Sequence, residues 1–437
     1  MRIVRPEPAA QLAALRIVVP AMILWTPELR HAAALARVPA GLRVVPEGLG
    51  WLLAWVPISP AIAGVVQAVA VFSALCAIAG LRARVALVVL AATTFYLFSL
   101  SQLSGAVWHD MHLLWMTALL AASPCDEALA FDHRGAPAAA DSVRYGWPLT
   151  LARLQLAAIY FFPGLHKLVT SGIAWALSDN LRNQLWWKWA EHGAQVGLRI
   201  DHVPWLLHAG ALYVLAFELS FPVLALAPRT RPYVAAAGLG FHLLAAYFLR
   251  IPFVSLWAMY VVLVDPRAVW RRLRKRQARA PDSQAFPGPP LRATLVVGAA
   301  LLLGIIVQGA RGQTRAYPFA CYPTFEWMAP AEMPDLRIEV QTPDGEWRPV
   351  PHARDASGYR TQRQWGEIWS LAGVTSPVDP ERLRRYLESV AEREPARSLV
   401  GHAMSARFTR VYFSVVPEQR GGPPLATVPL AEMRLGS

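Results

Sequence analysis

Residues 61–80 read AIAGVVQAVAVFSALCAIAG, a stretch with no charged side chain and a single amide, Gln67. A helix rising 1.5 Å per residue needs about 20 such residues to cross a hydrocarbon core roughly 30 Å thick. A second run follows directly, since nothing charged occurs between Arg84 and His109. Runs of this length predict helices that cross a bilayer, not helices buried in a soluble core. Working outward, about nine candidate spans emerge, near 11–26, 61–80, 85–104, 110–123, 150–167, 204–227, 233–249, 251–264 and 292–309. The first is interrupted by Arg16, and the eighth is short enough that it would pair with its predecessor through a bend at Arg250 and Pro252. The stretch after Arg2 and Arg5 lacks a small-residue cleavage site and is expected to remain as a helix.

Composition agrees: 55% of the residues are hydrophobic and 16% are charged, against about 25% charge in an ordinary soluble domain. The formal charge of +13 would suit nucleic acid, but the basic residues fall where the positive-inside rule puts them, so no nucleic-acid partner is expected. Arg82 and Arg84 follow the second span, Arg229 and Arg231 the sixth, and the run 267–279 (RAVWRRLRKRQAR) the eighth. These loops and the N-terminus are therefore expected in the cytoplasm, in a multi-pass protein of the cell inner (cytoplasmic) membrane whose C-terminal part lies outside. The three cysteines, Cys76, Cys125 and Cys321, share no compartment and build no disulfide framework. No Cys-x-x-Cys, His-Glu-x-x-His or Gly-rich phosphate loop occurs, so neither a metal nor a nucleotide is expected.

The proline-rich stretch 281–290 (PDSQAFPGPP) separates a multi-helix domain, 1–280, from the last span, and 281–310 forms the linker and that helix. Residues 311–437 read differently. The segment 336–341 (LRIEVQ) alternates, Asp344-Gly345 is a hairpin turn, 346–350 would be the returning strand, 379–394 patterns as a helix, and 407–416 (RFTRVYFSVV) as another strand. The fold class expected is an all-α polytopic membrane bundle of about eight or nine transmembrane helices followed by a small α+β soluble domain. The aromatic segment 317–327 (YPFACYPTFEW) suits a joint between domain and membrane, or a lid at its surface.

Ionisable groups inside the spans are the natural candidates for function, because burying a charge at the bilayer centre costs at least about 2.5–3.5 kcal/mol. Five positions qualify: Arg16, His112, Lys167, Glu218 and His242. Each also has a structural reading. Arg16 and Glu218 would form a buried pair between helices, His242 would bond a backbone carbonyl, His112 would be wet beside Trp108, His109 and Asp110, and Lys167 would snorkel to water. Against snorkelling stands Pro163-Gly164, a pair expected to break the helix ahead of Lys167 beside a pocket, where a desolvated amine becomes available as a base.

These residues resemble the HTTM group, the vitamin K-dependent γ-carboxylase-like membrane proteins, over about residues 10–265. Residues 12–17 (LAALRI) are similar to the family's opening, and 108–113 (WHDMHL) to a Trp-Asn-Asn-His element, with His112 matching after a one-residue shift. Residues 160–168 (YFFPGLHKL) resemble Tyr-Phe-x-x-Gly-x-Lys-Lys-Leu, with His166 at the first lysine and Lys167 at the second. The resemblance implies that Lys167 is a catalytic base, with His112 or His109 as proton partner and Arg16, His166, Glu218 and His242 in support. It implies a lyase chemistry in which a lysine deprotonates reduced vitamin K or another quinol. Reaction with oxygen then gives a base able to take the γ-proton of a protein or peptide glutamate on the extracytoplasmic side, where carbon dioxide adds. Two other readings stay open: a non-catalytic module that binds lipid or quinone and meets a partner through its exterior domain, and a proton-coupled transporter.

Overall fold

The computed structural model describes residues 4–103, 110–135, 140–193, 196–265, 291–320, 325–352 and 362–435. His109, the basic run 267–279, the linker 281–290 and Cys321 lie outside the described residues. The helices of the bundle are α1 (Ala9–Trp25), α2 (Pro60–Ala79), α3 (Ala83–Gln102), α4 (Met111–Ala121), α5 (Val143–Ser171), α6 (Asn180–Glu191), α7 (Pro204–Leu226), α8 (Arg231–Leu244, prolonged by a π turn over Ala245–Leu249), α9 (Val254–Met259) and α10 (Arg292–Ala310). Five of these, α2, α3, α7, α8 with its extension, and α10, are long and apolar enough to cross a membrane. The protein is a mostly helical membrane protein with a small C-terminal sheet.

The ends of α2 follow from local chemistry. Ser59 Oγ accepts the N–H of Ile62 at 3.3 Å and Pro60 occupies the first turn, so α2 starts there. It stops at Gly80, whose φ of +73° caps the helix, and a Cβ at that position would lie 2.4 Å from the backbone of Ala130. Along α2 the small residues Ala63, Ala70, Ala74 and Ala77 are fully buried while Val65, Phe72 and Leu75 are exposed. Small side chains inward and large apolar ones outward is the arrangement of a helix whose outer solvent is lipid.

One expectation changes and another is met. Pro163-Gly164 does not break its helix: α5 runs unbroken from Val143 to Ser171 through both Pro148 and Pro163. The backbone bond lost at a proline is tolerated where neighbouring helices enclose it, and Pro163 and Gly164 are both buried. The eighth segment is only the six residues of α9 and one 3-10 turn, Tyr260–Val262, entered through left-handed backbone at Arg250 and Phe253. The bend foreseen beside Pro252 is therefore present.

The C-terminal part holds a four-stranded antiparallel sheet, β1 (Glu332–Gln341), β2 (Trp347–Pro349), β3 (Ser405–Ser414) and β4 (Ala426–Arg434), in the order β2-β1-β3-β4. Leu336, Ile338 and Val340 pair with Arg410, Phe408 and Ala406. The three β1 residues bury one face under Ile368 and Leu371 of α11 (Gln362–Leu371) and Leu383 and Leu387 of α12 (Pro380–Ala391). Gly345, at φ +86°, makes the expected turn, and Asp379 caps α12 by accepting from Glu381.

This domain packs on the bundle. Trp186 and Trp187 of α6 cluster with Met333, Trp365 and Val415, and Val38 and Leu42, from the chain after α1, join the sheet's own core. Arg199 fastens the junction, with Nη2 2.8 Å from Asp201 Oδ2 and 2.7 Å from Glu418 Oε1, while Trp186 Nε1 donates to Asp201 at 2.9 Å. Burial alone would raise the Asp201 carboxyl, but the hydrogen bonds from Arg199 and Trp186 hold it below its usual range, and the bond from Arg199 does the same for Glu418. Both folded pKa values are depressed, so this link contributes fully above the ordinary carboxylate range and is lost as pH falls below about 4. Acid titration followed by Trp186 fluorescence and by proteolysis at the junction is expected to show loosening below that pH. Asp201→Asn should loosen the junction already at neutral pH and flatten the acid response. Superimposable profiles for the two proteins would contradict the assignment.

Candidate functional site

Tyr160, Pro163, Gly164 and Lys167 recur at helical spacing along one face of α5. Opposite them α7 comes unusually near, because a Cβ at Gly164 would lie 2.8 Å from Glu218 Cβ. Only glycine leaves room for Glu218 to reach along α5, and the carboxylate there receives Lys167. Nζ lies 2.9 Å from Oε1 and 2.8 Å from Oε2, with the two side chains 3% and 8% exposed. The ammonium also sits 5.3 Å from the Trp175 ring centroid, a cation–π contact. Snorkelling is thus corrected: Lys167 turns inward because a buried counter-charge is within reach.

Two turns back from Lys167 on α5, Tyr160 Oη lies 2.6 Å from His242 Nε2 on α8 and 2.6 Å from Tyr260 Oη. Its ring stacks on Phe221 of α7 at 4.2 Å between centroids. Tyr160, Lys167, Glu218 and His242 all line one cavity of about 100 Å³, whose remaining walls are almost entirely aromatic or aliphatic. Phe325 closes part of it.

Phe325 belongs to a strap that leads into the sheet domain. Trp175 Nε1 donates to Phe325 O at 2.6 Å, Ser171 to Glu326 O at 2.9 Å, Gln184 to Trp327 O at 3.2 Å, Asn183 to Ala329 O at 2.8 Å and Trp187 to Pro330 O at 2.7 Å. Five side chains from α5, α6 and the turn between them thereby hold the backbone of 325–330 over the cavity end. Burial raises the Glu326 carboxyl, partly countered by His166 and Lys167 nearby. The same stretch begins with Tyr317, which is buried in the bundle, and with Pro318, whose carbonyl accepts from Trp115 at 2.8 Å. The described residues of the aromatic segment thus meet the bundle at 317–318 and cover the cavity end from 325.

The other candidates separate from this centre. His112 is fully buried on α4 and is not among the residues that line the cavity. Among the described residues no histidine is hydrogen-bonded to Lys167; the partner is Glu218. His242 does not take the backbone carbonyl expected of it, because Tyr160 holds its Nε2. His166 Nε2 donates to Gly309 O at 2.7 Å and pins α5 to α10. The expected Arg16–Glu218 pair does not form. Arg16 donates instead to Leu129 O at 2.6 Å and Cys125 O at 3.4 Å, carbonyls in the loop after α4 that a guanidinium satisfies without a carboxylate.

A second buried ionic group was not foreseen. Glu7 Oε1 receives Arg153 Nη1 and Arg231 Nη1, each at 2.9 Å, and Arg153 Nε donates to Val262 O at 2.9 Å. Arg153 is 1% exposed in its side chain and lies within the fifth candidate span. Its charge inside an apolar run was the available signal. Among the described residues no group of three or more His, Cys, Asp or Glu is placed to hold a metal ion.

An apolar bundle with a buried ion pair at the wall of a cavity lined by five helices, α5 to α9, defines a membrane protein built around an internal polar site. The HTTM domain family matches residues 4–267, more than half of the chain, and the chain belongs to that family. The match takes in α1 through α9 and every cavity residue except Phe325. No curated protein and no solved structure matches the chain.

Proposed function

We propose that this cavity is the reaction chamber of a quinol-dependent membrane carboxylase, or a closely related lyase, with Lys167 as its base. The observation carrying the reading is that Lys167 is buried at the wall of an apolar cavity with Glu218 as its only carboxylate partner among the described residues. A Lys–Glu pair holds one shared proton. In water the ionic form is favoured, whereas an apolar occupant that excludes solvent favours the neutral amine and acid, because separated charges are costly there. Glu218 would take the proton from Lys167, and the freed amine would accept one from an occupant's hydroxyl. A volume of about 100 Å³ is on the scale of engineered cavities that admit one benzene-sized ring, of order 150 Å³, and buried polar groups at its wall can orient such a ring. A bound quinol would supply the hydroxyl and, with oxygen, the driving force of the reaction.

The same reading gives the topology: N-terminus cytoplasmic and C-terminal domain outside, where a peptide glutamate would meet it. Exposed Trp25, Trp51, Trp55 and Trp205 fall at helix ends or in loops on the domain's side and would form an interfacial belt. A second reading, a non-catalytic module, draws on the ion pair itself, which joins α5 to α7 whatever the cavity holds. The two are separated by supplying the purified protein in detergent with a reduced naphthoquinone and oxygen. The carboxylase reading expects quinone epoxide from wild type and none from Lys167→Ala. Quinone binding without epoxide from either protein would favour the module.

A further inference from the structure

His242 uses one ring nitrogen and leaves the other free. Its Nε2 is taken by Tyr160, while Nδ1 is buried and has no hydrogen-bond partner among the described residues, on a side chain 1% exposed. Next to it stands a second case: Trp257 Nε1 is also buried and unpartnered among those residues, with its ring centroid 6.4 Å from that of His242. Phe241 and Phe253, at 5.1 and 5.7 Å, offer no conventional hydrogen-bonding atom, and Tyr260 and Tyr160, at 5.9 and 6.1 Å, have their hydroxyls bonded to each other, with Tyr160's also on Nε2. Buried polar nitrogens without partners are costly and rare. Two of them side by side, one on His242, which lines the cavity that Lys167 and Glu218 also line, and the other on Trp257 behind it, point to an oxygen that belongs to the occupant.

The adjoining hydroxyls say what kind of oxygen. Tyr160 and Tyr260 can each donate or accept, so the pair accommodates either tautomer of His242. With the proton on Nε2, bare Nδ1 accepts from a hydroxyl, and that hydroxyl's oxygen accepts from Trp257. With the proton on Nδ1, both nitrogens donate to a carbonyl. We infer that His242 Nδ1, assisted by Trp257 Nε1, is the second anchor of the cavity, holding the ring oxygen distal to Lys167 of an occupant that carries oxygens at both ends. The inference rests on the cavity being a quinol site and adds the residue that distinguishes a two-oxygen ring from a one-oxygen ring.

Calorimetric titration of the detergent-solubilised full chain with methyl-1,4-hydroquinone and with m-cresol, which differ by one hydroxyl, tests this. Wild type is expected to bind the diol about tenfold more tightly than the mono-alcohol, the worth of one well-placed hydrogen bond. His242→Gln, whose amide still reaches Tyr160, is expected to lose about tenfold for the diol and nothing for m-cresol, with an unchanged unfolding midpoint. His242→Asn, whose amide replaces Nδ1, should keep part of the preference. Lys167→Ala should weaken both ligands. The inference is overturned if His242→Gln binds the diol as wild type does, or weakens both ligands equally, while Lys167→Ala still weakens both; the quinol site then stands without its second anchor. Absence of binding to wild type overturns the quinol site and the anchor together.

Discussion

Glu218→Leu is expected to destabilise the protein by about 3–5 kcal/mol, because it leaves the Lys167 ammonium buried without its counter-charge. Lys167→Met should cost a similar amount by stranding the carboxylate. The informative variant is the double one, Lys167→Met with Glu218→Leu, which removes both charges and replaces them with apolar groups of comparable volume. Such replacements are often neutral or stabilising, so the double variant should unfold near the wild-type temperature in detergent. It should nevertheless form no quinone epoxide. Stability and activity then part company, which a purely structural pair does not allow. A double variant as unstable as either single one would show that the two charges are not each other's main partners, and would refute the geometry on which the site rests.

Glu7→Leu is expected to have the second large effect. A single carboxylate oxygen serves two guanidinium groups there, Arg153 with a side chain 1% exposed and Arg231 with one 10% exposed. Removing it leaves two like charges facing each other in the interior between the N-terminal segment, α5 and α8. Loss of one partner of a buried group costs roughly 3–5 kcal/mol, and the repulsion between the arginines adds to it. Glu7→Leu should therefore expose proteolytic sites at the N-terminus, and Glu7→Asp should recover less than half of the loss, since its shorter side chain cannot span both arginines. Thermal unfolding in detergent checks both. A Glu7→Leu midpoint within a few degrees of wild type would remove the group from any account of the fold.

Much of this architecture is legible in the chain. The apolar runs at 61–80 and after Arg84 become α2 and α3, and LRIEVQ followed by Asp344-Gly345 becomes β1 and its hairpin, because period and turn chemistry are local properties. What is not local was missed. Strand β4 is one of the sheet's two outer strands and contains Pro429, which suits an edge and spoils the strand pattern. The continuity of α5 through Pro163 depends on the helices around it. At the site, Lys167, Glu218 and His242 were each identifiable as ionisable groups in apolar surroundings, but their partners were not. The sequence pairs Glu218 with Arg16 as two opposite charges inside spans, while the decisive fact, a glycine at 164 that lets α7 close on α5, has meaning only once the two helices are placed. Tyr160 stood in the quoted motif without a role because a tyrosine in an apolar run is unremarkable until Tyr260 and His242 are brought to it.

The strap over the cavity carries one more implication. Phe325 and the carbonyls of 325–330 lie beyond residue 267, where the family match ends. The floor and walls of the cavity come from the matched domain, but part of its ceiling is supplied by residues beyond that match. On the function proposed above, changes in that ceiling would alter which molecules are admitted while the charged pair beneath is left as it is, so that selectivity and chemistry would be free to diverge separately in descendants of this chain.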